Sequence, residues 1–204
     1  MTQPVVLLHG LLMRSPALLP LALRLRRRGF SPVIFSYSTL WRDPSRAMER
    51  LAMRLYAFGD GPVHLVAHSL GGLVAAETLS RYQKLPEGRL VCIGSPIAGS
   101  AAARGLARSR LSFAAGKSGA LLRGGLIQLP PREVGMIAGA RSLGLGRFFG
   151  NFDGINDGTV AVWETRLPGL RDHIVVRASH TGLAFSAEVA GLAADFLESG
   201  HFKP

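Results

Sequence analysis

Val63-His64-Leu65-Val66-Ala67-His68-Ser69-Leu70-Gly71-Gly72 is the stretch on which the reading of this chain turns. Its first five residues are mostly apolar and too few for a helix, so the spacing predicts a strand over 63–67 and a helix over 70–82. Between them, Ala67-His68-Ser69-Leu70-Gly71 nearly fulfils G-x-S-x-G, in which a serine sits on a sharp strand-to-helix turn. So tight a turn needs small residues on both sides of the serine, and Ala67 takes the place of the first glycine. The competing reading is a serine that caps the helix, followed by a glycine pair for close packing. A strand before and a helix after favour a strained serine with an exposed hydroxyl.

Outward from this turn the chain repeats one rhythm. Val5-Val6-Leu7-Leu8, Val33-Ile34-Phe35, Leu90-Val91-Cys92-Ile93, Val134-Gly135-Met136-Ile137-Ala138 and Ile174-Val175-Val176 read as further strands. Helices are expected from Ser15-Pro16 through Arg28, from Asp43-Pro44 to the Gly61-Pro62 break, and over 184–197. Strands that are apolar on both faces and alternate with helices indicate a parallel sheet covered on both sides. The expected architecture is α/β, with about six mostly parallel strands flanked by helices in one domain over 1–204. Residues 97–131, rich in Gly, Ala, Ser and Arg, break the rhythm and read as an insertion with one or two weak helices and no core strand. Residues 141–158 are a second irregular stretch.

Right-handed crossovers place the C-terminal ends of all the strands on one edge, where such sheets bind ligands. A nucleophilic serine there needs a base, an acid that orients the base, and N–H donors for the developing oxyanion. In this strand–turn–helix setting the order along the chain is Ser, then Asp or Glu, then His. Three histidines follow Ser69. His173 begins the last strand and belongs at the opposite edge, His201 is in the tail, and His180 directly follows the strand at the right edge. His180 is therefore the base by position. Asp157, in Asn156-Asp157-Gly158-Thr159-Val160, is the candidate acid and Asp153 its rival; an Asp-Gly turn is the bland reading of either. The Leu70 amide at the start of the helix and the Leu11 amide in the loop His9-Gly10-Leu11-Leu12 are the candidate oxyanion donors. His9 reads as an anchor for that loop, His68 as packing beneath the turn, and His64 as an ordinary strand residue.

His9-Gly10, Ala67-His68-Ser69-Leu70-Gly71-Gly72, Gly94-Ser95-Pro96 with Gly99-Ser100, Asn156-Asp157-Gly158-Thr159-Val160 and Ser179-His180-Thr181-Gly182 occur in this order along the chain. Together they resemble the α/β-hydrolase lipase/esterase type, particularly small bacterial triacylglycerol lipases and GPI inositol-deacylase-like hydrolases. The resemblance spans nearly the whole chain. It implies a compact α/β-hydrolase fold, a triad of Ser69, Asp157 and His180, oxyanion N–H groups from Leu11 and Leu70, and a lid or acyl-pocket wall formed by 97–131. Many secreted lipases of this kind carry a signal peptide, a disulfide and a calcium site, and none of these is expected here.

Composition limits the alternatives. The single cysteine, Cys92, cannot form an internal disulfide, and no apolar run approaches the ~20 residues of a membrane-spanning helix. The apolar stretch after Met1-Thr2-Gln3-Pro4 reads as a core strand and not as a leader, so a cytoplasmic location is expected. No cofactor and no metal are called for. The formal net charge is +11, with +7 in residues 1–96, +7 in 97–150 and −3 in 151–204. Such a charge invites a nucleic-acid reading. Only three of the 24 basic residues are lysine, and no nucleic-acid-binding signature accompanies them, so nucleic acid is not an expected partner.

The expected partner is a small-molecule or lipid ester. Leu106, Leu111, Phe113, Leu121, Leu122 and Leu126 could line an acyl pocket, and Arg104, Arg108, Arg110, Lys117 and Arg123 could meet an anionic membrane surface at about 1 kcal/mol each. The alternative is an ordinary helical cap, apolar side packed and arginines in water. Thioesterase or acyltransferase chemistry on the same triad, and a non-catalytic lipid-binding protein of the same fold, are the rival functions.

Overall fold

The computed structural model describes residues 2–107, 116–143 and 154–203. Among them, β1 (Gln3–Leu8), β2 (Phe30–Phe35), β3 (His64–His68), β4 (Leu90–Ile93), β5 (Val134–Gly139) and β6 (Asp172–Val176) form one sheet in the order β2-β1-β3-β4-β5-β6. Every neighbouring pair is parallel. Successive side chains of a strand point to opposite faces, and here both sets are apolar. Val6, Leu8, Leu65, Ala67, Leu90, Cys92, Val134 and Met136 face α2 (Pro44–Tyr56) and α3 (Leu70–Arg81). Val5, Leu7, Val66, Val91, Ile93 and Ile137 face α1 (Leu19–Arg27) and α7 (Ala187–Ser199).

The strand order positions the site. From β1 the chain moves outward to β2 and then crosses back to β3 on the other side of β1. The connections after β1 and β3 therefore diverge, which opens a crevice at the C-terminal ends of these two strands. Ser69 and the loop His9-Gly10-Leu11 lie at those ends.

Several boundaries differ from the sequence expectation. β1, β2 and β6 begin earlier, because Gln3, Pro4, Phe30, Ser31, Pro32, Asp172 and His173 pair in register although some are polar or proline. The first helix is a 3-10 turn, Ser15–Leu18, followed by α1. Pro20 lacks the N–H that a continuous helix would donate back to residue 16. The closing helix is two helices, α6 (His180–Phe185) and α7, separated at Ser186, whose hydroxyl accepts from the Val189 amide at 3.3 Å and caps α7. In segment 97–131, α4 (Ala101–Ala107) and α5 (Gly119–Gly124) are the α-helices among the described residues, and no strand is found there.

Leu122 and Leu126, expected as pocket lining, are buried in the core cluster against α2 and α3, as a packed cap would have them. Leu111, Phe113, Arg108 and Arg110 lie outside the described residues. His64 is more than a strand residue: its Nδ1 accepts from the Arg89 amide and its Nε2 donates to Gln3 Oε1, both at 3.0 Å, joining the starts of β1, β3 and β4. The tail is anchored too. Phe202 is buried against Phe196, and its amide donates to Asp172 at 2.8 Å.

Candidate active site

Ser69 follows β3 with φ +54° and ψ −123°, a region that costs a non-glycine residue about 1–3 kcal/mol. Close packing on all sides holds the strain. The Ser69 amide donates to Ile93 O at 2.8 Å, extending the β3–β4 ladder by one residue. A β-carbon on Gly10 would stand 2.9 Å from Ser69 Cβ, and one on Gly71 would stand 2.9 Å from the Leu8 and His9 carbonyls. A β-carbon on Gly72 would collide with Ser95 and touch Cys92. The helix can therefore start directly at the serine only because its first turn is nearly bare.

The three sequence-predicted side chains meet. His180 Nε2 lies 3.0 Å from Ser69 Oγ, and His180 Nδ1 lies 2.7 Å from Asp157 Oδ2. Asp157 Oδ1 is taken by the Thr159 and Val160 amides at 2.9 and 2.7 Å, so only Oδ2 is left for the imidazole. A carboxylate oxygen accepts, which puts the His180 proton on Nδ1 and turns the Nε2 lone pair toward the serine hydroxyl. The backbone holds the same contact, with the His180 amide donating to Asp157 O at 2.9 Å. Side-chain exposure is 1% for Asp157 and 13% for His180, so the acid is dry and the base reaches the surface. The rival Asp153 lies outside the described residues. Leu11 and Leu70 lie on the two segments that meet at Ser69, and among the described residues neither amide has an acceptor within the protein.

His9 anchors its loop and His68 packs beneath the turn as expected, and the structure adds their partners. Tyr37, beyond β2, stacks on the His9 ring at 4.5 Å and donates to His9 O at 2.6 Å, while His9 Nδ1 donates to Gly10 O at 3.0 Å. These contacts fix the loop carrying Leu11. His68 is buried behind His180, with ring centroids 4.8 Å apart, and its Nε2 donates to the His180 carbonyl at 3.0 Å. Burial, with His180 adding to it, pushes the His68 imidazole down to about 3; burial and the charges of Arg89 and Arg132 push His64 down to about 4.

From those values up to about 6.5, the unfolded chain binds protons that the folded chain does not, so stability must fall as pH falls. Each histidine contributes a slope of up to about 1.4 kcal/mol per pH unit. The urea midpoint is expected to drop steadily between pH 7 and 4.5, and less steeply in His64→Gln and His68→Asn. Equal slopes in wild type and variants would contradict this.

Gly94 and Gly139 flank the acid–base pair. Gly94 has φ +57°, and a β-carbon there would stand 2.9 Å from Leu183 Cδ1 and 3.3 Å from both Asp157 Oδ2 and His180 Nδ1. On Gly139 it would stand 2.7 Å from Asp157 Cβ. Gly94→Ala is expected to lower kcat on a p-nitrophenyl ester by on the order of 100-fold, because displacements of about 1 Å at reacting groups have effects of that size. Gly29→Ala is the control. Its φ is +88° but its β-carbon enters open space, so it should lower Tm and leave kcat unchanged.

A cavity of about 780 Å³ opens at the other, N-terminal edge of the sheet, between Gln3, His64, Tyr82, Arg89 and Arg132. Arg89 is paired there with Glu133, and Arg132 is held by the Val63 and Pro86 carbonyls. Among the described residues, no group of three or more His, Cys, Asp or Glu side chains is placed to hold a metal, and no helix is long and apolar enough to cross a membrane.

A strained serine at the crevice of a parallel sheet thus stands against an imidazole and a buried carboxylate, and comparison with known proteins gives the family. The profile of the Alpha/beta hydrolase family matches residues 5–199, and the chain belongs to that family. No curated protein sequence matches significantly. Among solved structures, the mature lipase BlEst2 of Bacillus licheniformis superposes with a TM-score of 0.78 at 20% identity, over 98% of this chain and 93% of the lipase. The metagenomic carboxyl esterase MGS0156 superposes at 0.69 and 18% identity, over 87% of this chain and 64% of the esterase. The type II thioesterase BorB of the borrelidin biosynthetic cluster superposes at 0.65 and 16%, over 97% of this chain and 92% of the thioesterase. At these identities the likeness establishes the fold.

Proposed function

We propose that the protein is a serine hydrolase that cleaves carboxylic esters through an acyl-enzyme on Ser69. The observation that carries this reading is the unbroken contact from Ser69 Oγ to His180 Nε2 and from His180 Nδ1 to Asp157 Oδ2. Ser69 Oγ attacks the ester carbonyl carbon as its proton passes to Nε2. The carbonyl electrons move onto oxygen, where the Leu11 and Leu70 amides receive them, aided by the positive end of α3. The intermediate collapses, the C–O bond to the alcohol breaks, and the leaving oxygen takes the proton from Nε2. Water then repeats the sequence on the acyl-enzyme and frees the acid. Asp157 holds the tautomer and stabilises the imidazolium without taking the proton.

A p-nitrophenyl ester series from acetyl to palmitoyl tests the reaction and the acyl preference together. Hydrolysis that peaks at short chains makes the protein an esterase, and a rise toward long chains makes it a lipase. No hydrolysis at any length contradicts the reading.

The loops at the C-terminal edge of the sheet, with α5, present Arg14, Arg42, Lys117, Arg123, Arg141 and Arg177 as exposed side chains. Asp43, and Glu188 in the first turn of α7, are exposed acids on the same side. This imbalance favours substrates that carry negative charge. At low salt, kcat/KM for an ester bearing a distal carboxylate is expected to exceed that for its neutral isostere, and the difference should narrow as ionic strength rises past about 0.15 M. A salt-independent ratio would contradict it.

A further inference from the structure

We propose that Glu164 is a positioning residue that ties the base of segment 97–131 to the loop carrying Asp157. The proposal rests on the reading of Asp157 given above, and on a buried carboxylate that the reaction itself does not use.

Glu164 is fully buried, yet both of its carboxylate oxygens are occupied by backbone donors from separate parts of the chain. Oε1 accepts from the amide of Ala101, the first residue of α4. Oε2 accepts from the amide of Ala161 at 2.8 Å. The Glu164 backbone adds to both sides, its carbonyl accepting from Ala98 at 2.9 Å and its amide donating to Ala161 O at 3.0 Å. One residue thus fastens the 98–101 turn to the 161–164 turn.

Each end of this fastening leads to something that matters for the site. Ala161 follows Val160, whose amide holds Asp157 Oδ1, and Ala161 also bridges back to Asn156, the residue before Asp157. On the other side, the turn after β4 receives α5. Ser100 donates to Leu122 O and Leu126 donates to Ile97 O, both at 2.8 Å, and Gly99 lies against the Arg123 carbonyl. A shift at 98–101 therefore carries α4 and α5 with it, and a shift at 161 carries the acid.

The side chain has to be a carboxylate. Two N–H groups point at it from opposite sides, and a glutamine would turn its NH₂ group toward one of them. An apolar residue would leave both amides without acceptors in a dry place. Burial raises the affinity of Glu164 for a proton, while the Ala101 and Ala161 amides and Arg104 of α4 oppose that rise and Asp157 adds to it.

Two variants separate a coupling role from simple bracing. Ala101→Pro deletes one N–H at a helical first position, where proline is tolerated, and leaves Glu164 and the 157–161 loop chemically unchanged. Glu164→Gln weakens the same link from the other end and serves where Ala101→Pro fails to fold. Hydrogen exchange with mass spectrometry on the full chain reads the link without requiring activity. The expected result is exchange at least ten-fold faster in peptides containing Thr159 and Val160 as well as in 102–107, in either variant. Faster exchange confined to 102–107 in Ala101→Pro, or to the 157–164 region in Glu164→Gln, would overturn the proposal.

Kinetics adds a second reading. In Glu164→Gln, kcat on p-nitrophenyl acetate should fall about ten-fold and KM for the octanoate should rise at least five-fold, because the acid and the segment 97–131 are both displaced. A lower Tm with both constants unchanged also overturns it. A wild type that hydrolyses neither ester defeats the hydrolase reading alone, and the exchange measurement still decides the link.

Discussion

Ser69→Ala and His180→Ala are each expected to lower kcat for ester hydrolysis by about 10⁵–10⁶-fold, and Asp157→Asn by about 10⁴-fold. The first two remove the attacking oxygen and the base in contact with it. The third acts through the tautomer. Asp157 Oδ1 is pinned by two N–H donors, so the oxygen of an asparagine would stay there and its NH₂ group would occupy the Oδ2 position. That group donates to His180 Nδ1, which drives the imidazole proton onto Nε2, facing Ser69. The ring keeps its place and loses its function as a base. The double variant Ser69→Ala/His180→Ala should be no slower than either single variant, since the two groups act as one unit. Additive losses measured by steady-state kinetics would show that they act independently.

Phe196→Ala carries the largest expected effect on stability, about 3–5 kcal/mol. Phe196 is fully buried on α7, its ring 5.0 Å from that of Phe202 and laid directly over Gly135 of β5. A β-carbon on Gly135 would stand 2.6–2.8 Å from three atoms of that ring. The glycine makes room for the ring, so removing the ring leaves a cavity that the strand has no side chain to fill. Gly135→Ala is expected to destabilise the wild type by overpacking, and to restore part of the loss in the Phe196→Ala background. Urea unfolding of the four proteins measures the coupling. Purely additive midpoints would contradict the packing account. Gly135 lies near the start of β5, at the edge away from Ser69, so kcat below the transition should stay near wild type in all four.

Much of this arrangement is legible in the sequence, for a definable reason. A strand buried on both faces needs an unbroken apolar run, and Val5–Leu8, Leu90–Ile93 and Val134–Ala138 supply it. Ser69 and His180 stand out because they come just after β3 and β6, and Asp157 because it lies in an Asn-Asp-Gly turn between β5 and β6, so that their order along the chain suits the sheet. Polar or proline residues paired within the ladder, such as Gln3, Pro32 and Asp172, are not legible, because hydrogen bonding to a neighbouring strand depends on topology. Nor are the hydrogen bonds of Tyr37, His68 and Glu164, although the packing of His68 beneath the turn is. Their partners lie 28, 112 and 63 residues away and become neighbours only when the strand order brings the loops to one edge. Leu122 and Leu126 show a further limit: composition marks them as apolar and cannot tell a packed cap from a pocket wall. The breaks at Pro20 and Ser186 were available as signals, since each falls inside a helical period and offers a local reason to interrupt it.

The central claim is that Ser69 is a nucleophile activated by His180. Intact-protein and peptide mass spectrometry after exposure to a fluorophosphonate tests it most directly, because the probe needs no knowledge of the natural ester. One adduct per chain, located on Ser69, absent in Ser69→Ala and formed at least 10³-fold more slowly in His180→Ala, is the predicted result. An unlabelled wild type, or an adduct on another residue that persists in Ser69→Ala, would contradict it.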